Sequence, residues 1–267
     1  PTTMASTRVR FNVAADVNAD VGAFLQFQSV GVWGADQNNN GTRAATGGGA
    51  DQVSDQLGDV GFHQAYFTIK NVATLPVNAK VGRQEIILDG HRLMGNTVWT
   101  QGSQSHDAAL LVHADGNHTF IYGFSKGIES GAGVRAIMSG NNDNVNAQGA
   151  GDTSDFNSHV FWANFKGIMG GDVSLYAIGV DNDAGANGGD FWTLGGRHVG
   201  KLAGLDYRVE AYKQLGEGGY YVRNSSINGA YGDKVADFDA ELFGIRVGKT
   251  FKNVMWSPTV TLWYDYL

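Results

Sequence analysis

Leu205-Asp206-Tyr207-Arg208-Val209-Glu210-Ala211-Tyr212 sorts by parity, with Leu205, Tyr207, Val209 and Ala211 on one side and Asp206, Arg208, Glu210 and Tyr212 on the other. Successive side chains of an extended chain point to opposite faces, so this stretch reads as a strand with one apolar and one polar face. Working outward, the same split returns along the chain. Val9, Phe11 and Val13 oppose Arg8, Arg10 and Asn12, and Ala65, Phe67 and Ile69 oppose Gln64, Tyr66, Thr68 and Lys70. Ala108, Leu110, Val112 and Ala114 oppose Asp107, Ala109, Leu111 and His113. Phe238, Ala240 and Leu242 oppose Asp237, Asp239 and Glu241, and Val260, Leu262, Tyr264 and Tyr266 oppose Thr259, Thr261, Trp263 and Asp265. Helical spacing is not evident anywhere.

About twelve such segments follow one another, near 6–16, 20–34, 60–70, 77–88, 106–114, 117–126, 156–166, 172–181, 190–200, 204–214, 237–250 and 257–267. A tilted strand crossing a bilayer needs roughly 9–11 residues of this kind. A soluble sandwich also alternates, so the connections decide. Short ones near 16–20, 71–76, 114–117, 166–171, 200–204 and 251–256 alternate with long ones near 35–59, 89–105, 127–155, 182–189 and 215–236. Tight turns on one rim and long loops on the other are the pattern of an up-and-down antiparallel transmembrane β-barrel. Trp33, Trp99, Trp162, Trp192, Tyr220, Tyr221 and Trp256 fall mostly near expected strand ends, where interfacial girdles sit.

Composition agrees. Among 267 residues there are 39 Gly but only 3 Pro, which is not the composition of a disordered chain. The absence of Cys removes disulfide, thiolate-metal and cysteine-nucleophile chemistry. A net charge of −7 without a Lys/Arg cluster speaks against nucleic acid. No apolar run approaches the roughly 18 residues of a membrane helix. The first residues carry no secretory leader pattern. With short turns in the periplasm, both ends of the chain fall on the extracellular rim. The expectation is therefore one barrel domain over 1–267 lacking strands at both ends, from an even-numbered parent of roughly 14–18 strands.

Val81-Gly82-Arg83-Gln84-Glu85-Ile86, then Gly90-His91-Arg92-Leu93-Met94-Gly95, Trp99 and Asp107 resemble the alginate-export family of outer-membrane barrels. The family pattern is a strand ending in Gly-Arg-Gln-Glu, an Arg-Leu-x-Gly loop, a Trp, and an Asp opening the next strand. Trp263-Tyr264-Asp265-Tyr266 is similar to the start of a later family motif. The resemblance is strong over 60–112 and architectural elsewhere. It implies a wide barrel of the Gram-negative outer membrane, in contact with lipid and lipopolysaccharide, whose charged lumen selects solutes. By match to the motif, Arg83, Glu85, Arg92 and Asp107 belong to a charged network at the rim; an ion-pair cluster holding the loop 89–105 is the structural alternative.

Strand parity puts Arg8, Arg10, Lys70, Lys80 and Arg208 in the lumen, against Asp107, Asp206, Glu210, Asp237, Asp239, Glu241 and Asp265. That balance is mixed and slightly acidic, whereas a polyuronate channel needs a strongly positive constriction. Other chemistry reads weakly. Ser105-His106-Asp107 are consecutive on a strand, so His106 turns away from the other two and no triad converges. Asp36-Gln37-Asn38-Asn39-Asn40-Gly41 matches half of a calcium loop, but Gly47 stands where the bidentate Glu belongs. The Gly-rich stretches 47–49, 130–133 and 185–189 lack the strand-to-helix junction of a phosphate cradle.

The leading expectation is a non-enzymatic porin or export channel for hydrophilic solutes or oligosaccharides, without cofactor or metal. Its pore-lining and selectivity residues would be Arg8, Arg10, Lys70, Arg83, Glu85, Arg92, Asp107, Arg208, Glu210, Asp239 and Glu241. A structural barrel that sheathes or docks a protein partner, in the lumen or periplasm, and a secreted soluble β-protein are the alternatives.

Overall fold

The computed structural model describes residues 5–32, 60–98, 102–130, 156–182, 190–223 and 231–267. It contains twelve strands: β1 (Ser6–Asp16), β2 (Val21–Val32), β3 (Gly61–Ile69), β4 (Asn78–Gln84), β5 (Gln104–Ala114), β6 (His118–Ser130), β7 (Phe156–Ile168), β8 (Gly171–Asn182), β9 (Phe191–Leu202), β10 (Leu205–Arg223), β11 (Tyr231–Thr250) and β12 (Thr259–Tyr266). They form one antiparallel up-and-down sheet in strict chain order, with β1 and β12 at its two ends. The helical structure among the described residues is a single 3-10 turn, Val72–Thr74. By contact the chain divides into two compact units, 1–111 with 124–156 and 112–123 with 157–267.

Register explains the parity of the sequence. Across β1 and β2, Phe11 faces Phe27 and Val13 faces Leu25 on one side, while Arg10 faces Gln28 and Asn12 faces Gln26 on the other. The apolar face is the exposed one: Phe11 is 64% exposed, and Val9, Phe62, Phe67, Leu111, Phe120, Phe161 and Leu175 are exposed too. Buried positions hold Gln26, Gln28, Gln64, Gln84, Ser158, Asn164, Ser174 and Glu210 beside apolar residues such as Val30, Leu110, Val160 and Ile178. A protein dissolved in water arranges its faces the other way round, because burying apolar area is the main gain of folding. Here the solvent facing the apolar side must itself be apolar.

The short turns are held by local hydrogen bonds. Asn18 Oδ1 accepts from the amides of Asp20 and Val21, both at 2.9 Å. Between β5 and β6, Asp115 Oδ1 accepts from the His118 amide at 2.9 Å and from its ring at 3.1 Å. The backbone bond first, then the ring, holds the Asp115 carboxyl below the usual aspartate value. Gly82 has φ +125°, and a Cβ there would run into the Ala65 carbonyl oxygen, so β4 and β3 approach closely only because position 82 has no side chain.

Two elements depart from the sequence expectation. The stretch 215–236 reads as a long loop because Gly216, Gly218 and Gly219 interrupt it, yet β10 and β11 stay paired from Asp206↔Gly248 to Arg223↔Tyr231. Backbone pairing to a neighbour outweighs the low strand preference of glycine. Conversely, β4 stops at Gln84, and the chain then leaves the sheet. Trp192 sits at a strand end and Trp256 in a short turn, but Trp162 stands mid-strand in β7.

Candidate functional site

In the unit containing β1–β4, a bulge builds the site. Gln26 pairs with Gln64 but Phe27 pairs with Phe62, so His63 is an extra residue in β3. The insertion turns both His63 and Gln64 to the buried polar side, against the period of two. Glu85, the first residue beyond β4, meets them there. Its Oε1 lies 2.8 Å from His63 Nε2 and 3.2 Å from Arg10 Nη1, and its Oε2 accepts from Asn96 Nδ2 at 2.9 Å. The Glu85 amide donates to Gln64 Oε1 at 3.1 Å. Arg10 Nε donates to Gln28 Oε1 at 2.7 Å, and Gln28 Nε2 donates to the Gly102 carbonyl at 2.9 Å. Arg8 reaches the Val98 carbonyl and Ser103 Oγ, both at 3.4 Å.

Arg83 and Asp107 form a fork of two parallel bonds, 2.8 and 2.9 Å, where β4 ends and β5 begins. Arg83 pairs with Ala65 and Val81 with Phe67, so Arg83 stands on the face of the exposed Phe67 and Val81, away from Glu85's cluster. Arg92 is half-buried in the connection after β4. Lys70 lies just past β3 at the short-turn end, its Nζ 3.2 Å from the Ala19 carbonyl. Lys80 Nζ sits 4.0 Å from the centre of the Tyr66 ring.

The second unit carries its own charged row. Glu210 is 2% exposed and pairs across the sheet with Arg197 on β9 and Gly244 on β11. Gly244 pairs with Asp265 on β12. One step toward the short turns, Arg208 pairs with Arg246, and Arg208 Nε lies 3.4 Å from Glu210 Oε1. At the turn itself Lys201 and Asp206 neutralise each other at 3.1 Å.

Asp239 and Glu241 are elsewhere. Glu241 pairs with Lys213 and Asp239 with Leu215, while Phe243 and Ile245 continue that same parity, opposite to Glu210. Both carboxylates bind Lys213, Glu241 Oε1 at 2.7 Å. The expectation that they share the polar face with Glu210 therefore does not hold, and Asp237 goes with them. Length contributes: β11 has 20 residues, about twice the roughly 9–11 of a tilted crossing strand, and counted from Thr250, Glu241 stands at that limit and Asp239 and Asp237 beyond it. Where the hairpin projects into water, polarity no longer marks a face.

Sequence reasoning missed His63, Asn96, Arg197 and Arg246. Arg246 was readable, since it alternates with Ile245 and Val247. His63 and Asn96 were not, because a bulge and a connection folded back over β1–β3 follow no period. Ser105 Oγ and His106 Nδ1 bond to nothing among the described residues, and Asp107 is engaged by Arg83, so the three are not linked as a triad. The half calcium loop 36–47 lies outside the described residues.

The alginate export family model matches residues 3–266. The chain belongs to the alginate export family. It is thus an outer-membrane β-barrel channel protein, which accounts for the exposed apolar face. Among solved structures, a BenF-like porin from Pseudomonas fluorescens Pf-5 aligns over 97% of this chain and 74% of its own, with 12% identity and a TM-score of 0.45. No curated protein matches this member of the alginate export family.

Proposed function

We propose that the polar faces of this alginate export family member line a water-filled pore that favours anionic hydrophilic solutes of oligosaccharide type. The observation that carries this is the charge balance after register is taken into account. Away from the strand ends, Arg8, Arg10 and Lys80 accompany Glu85 in one unit. Arg197, Arg208 and Arg246 accompany Glu210 and Asp265 in the other. Asp237, Asp239 and Glu241, which made the parity count slightly acidic, belong to the opposite face. The remaining excess is cationic, and a ring of fixed positive charge raises the local concentration of anions.

The test is reversal potential in planar bilayers under a salt gradient, using the full-length protein. Anion preference supports the reading, and cation preference overturns the charge assignment. No conductance at all would remove the pore itself.

A further inference from the structure

The connection between β4 and β5 does not stand away from the sheet as a solvent loop would. Ile86 and Leu88 are buried, as is Asn96 at 6% exposed. Leu88 and Met94 close a small backbone loop, amide to carbonyl, at 3.2 Å, and the Asn96 carbonyl accepts from the Gln104 amide at 2.8 Å. Further bonds tie residues of 85–98 and 102–103 to side chains of the polar face of β1–β3. They run from Arg8 to Val98 and Ser103, from Gln28 to Gly102, and from Arg10, His63 and Gln64 to Glu85.

We infer that Glu85 is a latch: a positioning residue that folds the β4–β5 connection against the pore side of β1–β3 and so sets the width of the channel there. This rests on the pore reading proposed above. The argument is one of connectivity. The Glu85 carboxylate joins two strands, through Arg10 of β1 and His63 of β3, and also binds the connection's own Asn96. Charge-assisted bonds out of bulk water are the strong ones, and a carboxylate shared by several donors holds all of them in register. The bulge that turns His63 inward supplies a donor that regular pairing would point to lipid. Arg10 also spans two contacts, gripping Gln28 through Nε, and Gln28 in turn holds Gly102 at the far end of the connection. Cutting the bonds at Glu85 leaves the Gln28 and Arg8 contacts to hold a segment that has lost its first anchor, so it moves more often into the lumen and back.

The experiment uses the absence of cysteine from residues 1–267, with any cysteine elsewhere in the full-length protein first replaced by serine. Ser103→Cys places a single thiol at a position 1% exposed, at the fastened end of the connection. A membrane-impermeant methanethiosulfonate is added to full-length protein in liposomes. Slow labelling is expected in the Ser103→Cys background, and labelling about tenfold faster when Glu85→Gln or, separately, Asn96→Ala is added. Single-channel recordings of the two substitutions, without the thiol, should show larger or noisier open currents than the parent. Mobility on unboiled gels verifies that each variant forms its barrel, and Asn96→Ala carries the test if Glu85→Gln does not. Glu85→Asp should lie between parent and Glu85→Gln. Fast labelling of Ser103→Cys by itself overturns the latch, as do unchanged labelling and unchanged current in both variants. Absence of current in the parent overturns the pore reading instead, a result distinguishable from either.

Discussion

Lys213 and Glu241 face each other directly across β10 and β11, Nζ to Oε1 at 2.7 Å, on the side of the sheet opposite to Glu210. The two residues Glu210 and Glu241 carry the same charge and lie on neighbouring strands, yet they are expected to matter for different properties. Glu241→Gln should leave the chloride-to-potassium permeability ratio unchanged. Glu210→Gln should raise it and Arg208→Gln should lower it, each on the order of twofold, because a lumen charge acts on ions that pass close by. Reversal potentials in a potassium chloride gradient distinguish the faces. An effect of Glu241→Gln as large as that of Glu210→Gln would place both in the pore.

Gly82 tests the close approach of β3 and β4. With φ +125° and the Ala65 carbonyl oxygen in the way, Gly82→Ala adds a steric collision to a backbone strain of about 1–3 kcal/mol. Gly116→Ala, in the β5–β6 turn, also has positive φ but meets nothing within 4 Å. Equilibrium unfolding in urea with lipid vesicles should show the larger loss at position 82. Equal losses would mean that β4 shifts to accommodate the methyl group.

Much of this architecture is legible from residues such as Phe11 and Arg10, because a two-residue period survives wherever each face meets a different solvent. The strands β1, β2 and β12 fall where parity puts them, whereas β5 presents its faces the other way round: Ala108 and Leu110 are buried, and Asp107, expected in the lumen, shares the parity of the exposed Leu111. Legibility fails at both extremes of strand length. In β11, Asp239 and Glu241 stand on the parity of Phe243 and Ile245, where Lys213 of β10 pairs with both carboxylates and parity alone does not show the ion pair. At the end of β4, Glu85 leaves the sheet after a strand of seven residues, and what it then touches depends on folding of the chain back over β1 and β3. The Gly-Arg-Gln-Glu motif pointed to Arg83 and Glu85 together. The structure separates them: Arg83 pairs with Asp107 on the face of Val81, and Glu85 binds Arg10 and His63 on the other.

The turn between β5 and β6 carries a pH prediction outside the membrane. Asp115 accepts the His118 amide and ring, and its carboxyl is held below the ordinary aspartate value. A carboxyl depressed in the folded state contributes stability above its unfolded value, near 3.9, and that contribution is lost as pH falls through the lower folded value. A carbon-13 NMR titration of the Asp115 side chain in micelles should therefore have its midpoint below that of a flexible aspartate. His118→Ala should restore part of the difference, because the ring is lost while the backbone donor stays. A midpoint at the ordinary value would mean that the turn's hydrogen bonds do not persist in solution.

The apolar face makes the broadest prediction. Phe11 stands midway along β1, in ring contact with Phe27 at 6.4 Å, and Phe27 stacks at a tilt on Phe62 at 4.7 Å, so three strands present one aromatic row outward. If that row meets hydrocarbon, Phe11→Arg puts a cation where no water can solvate it, at a cost of about 2–4 kcal/mol near the bilayer midplane. Asn12→Arg, one residue away, points to the polar face, where Asn12 accepts from Gln26 Nε2 at 2.9 Å. That change should cost about 1 kcal/mol for the lost hydrogen bond, with the new charge exposed to lumen water. Unfolding of the two variants in phosphatidylcholine liposomes measures the difference directly. A larger loss for Asn12→Arg than for Phe11→Arg would reverse the two faces, and with them every assignment of Arg8, Arg10 and Gln28 to the pore side.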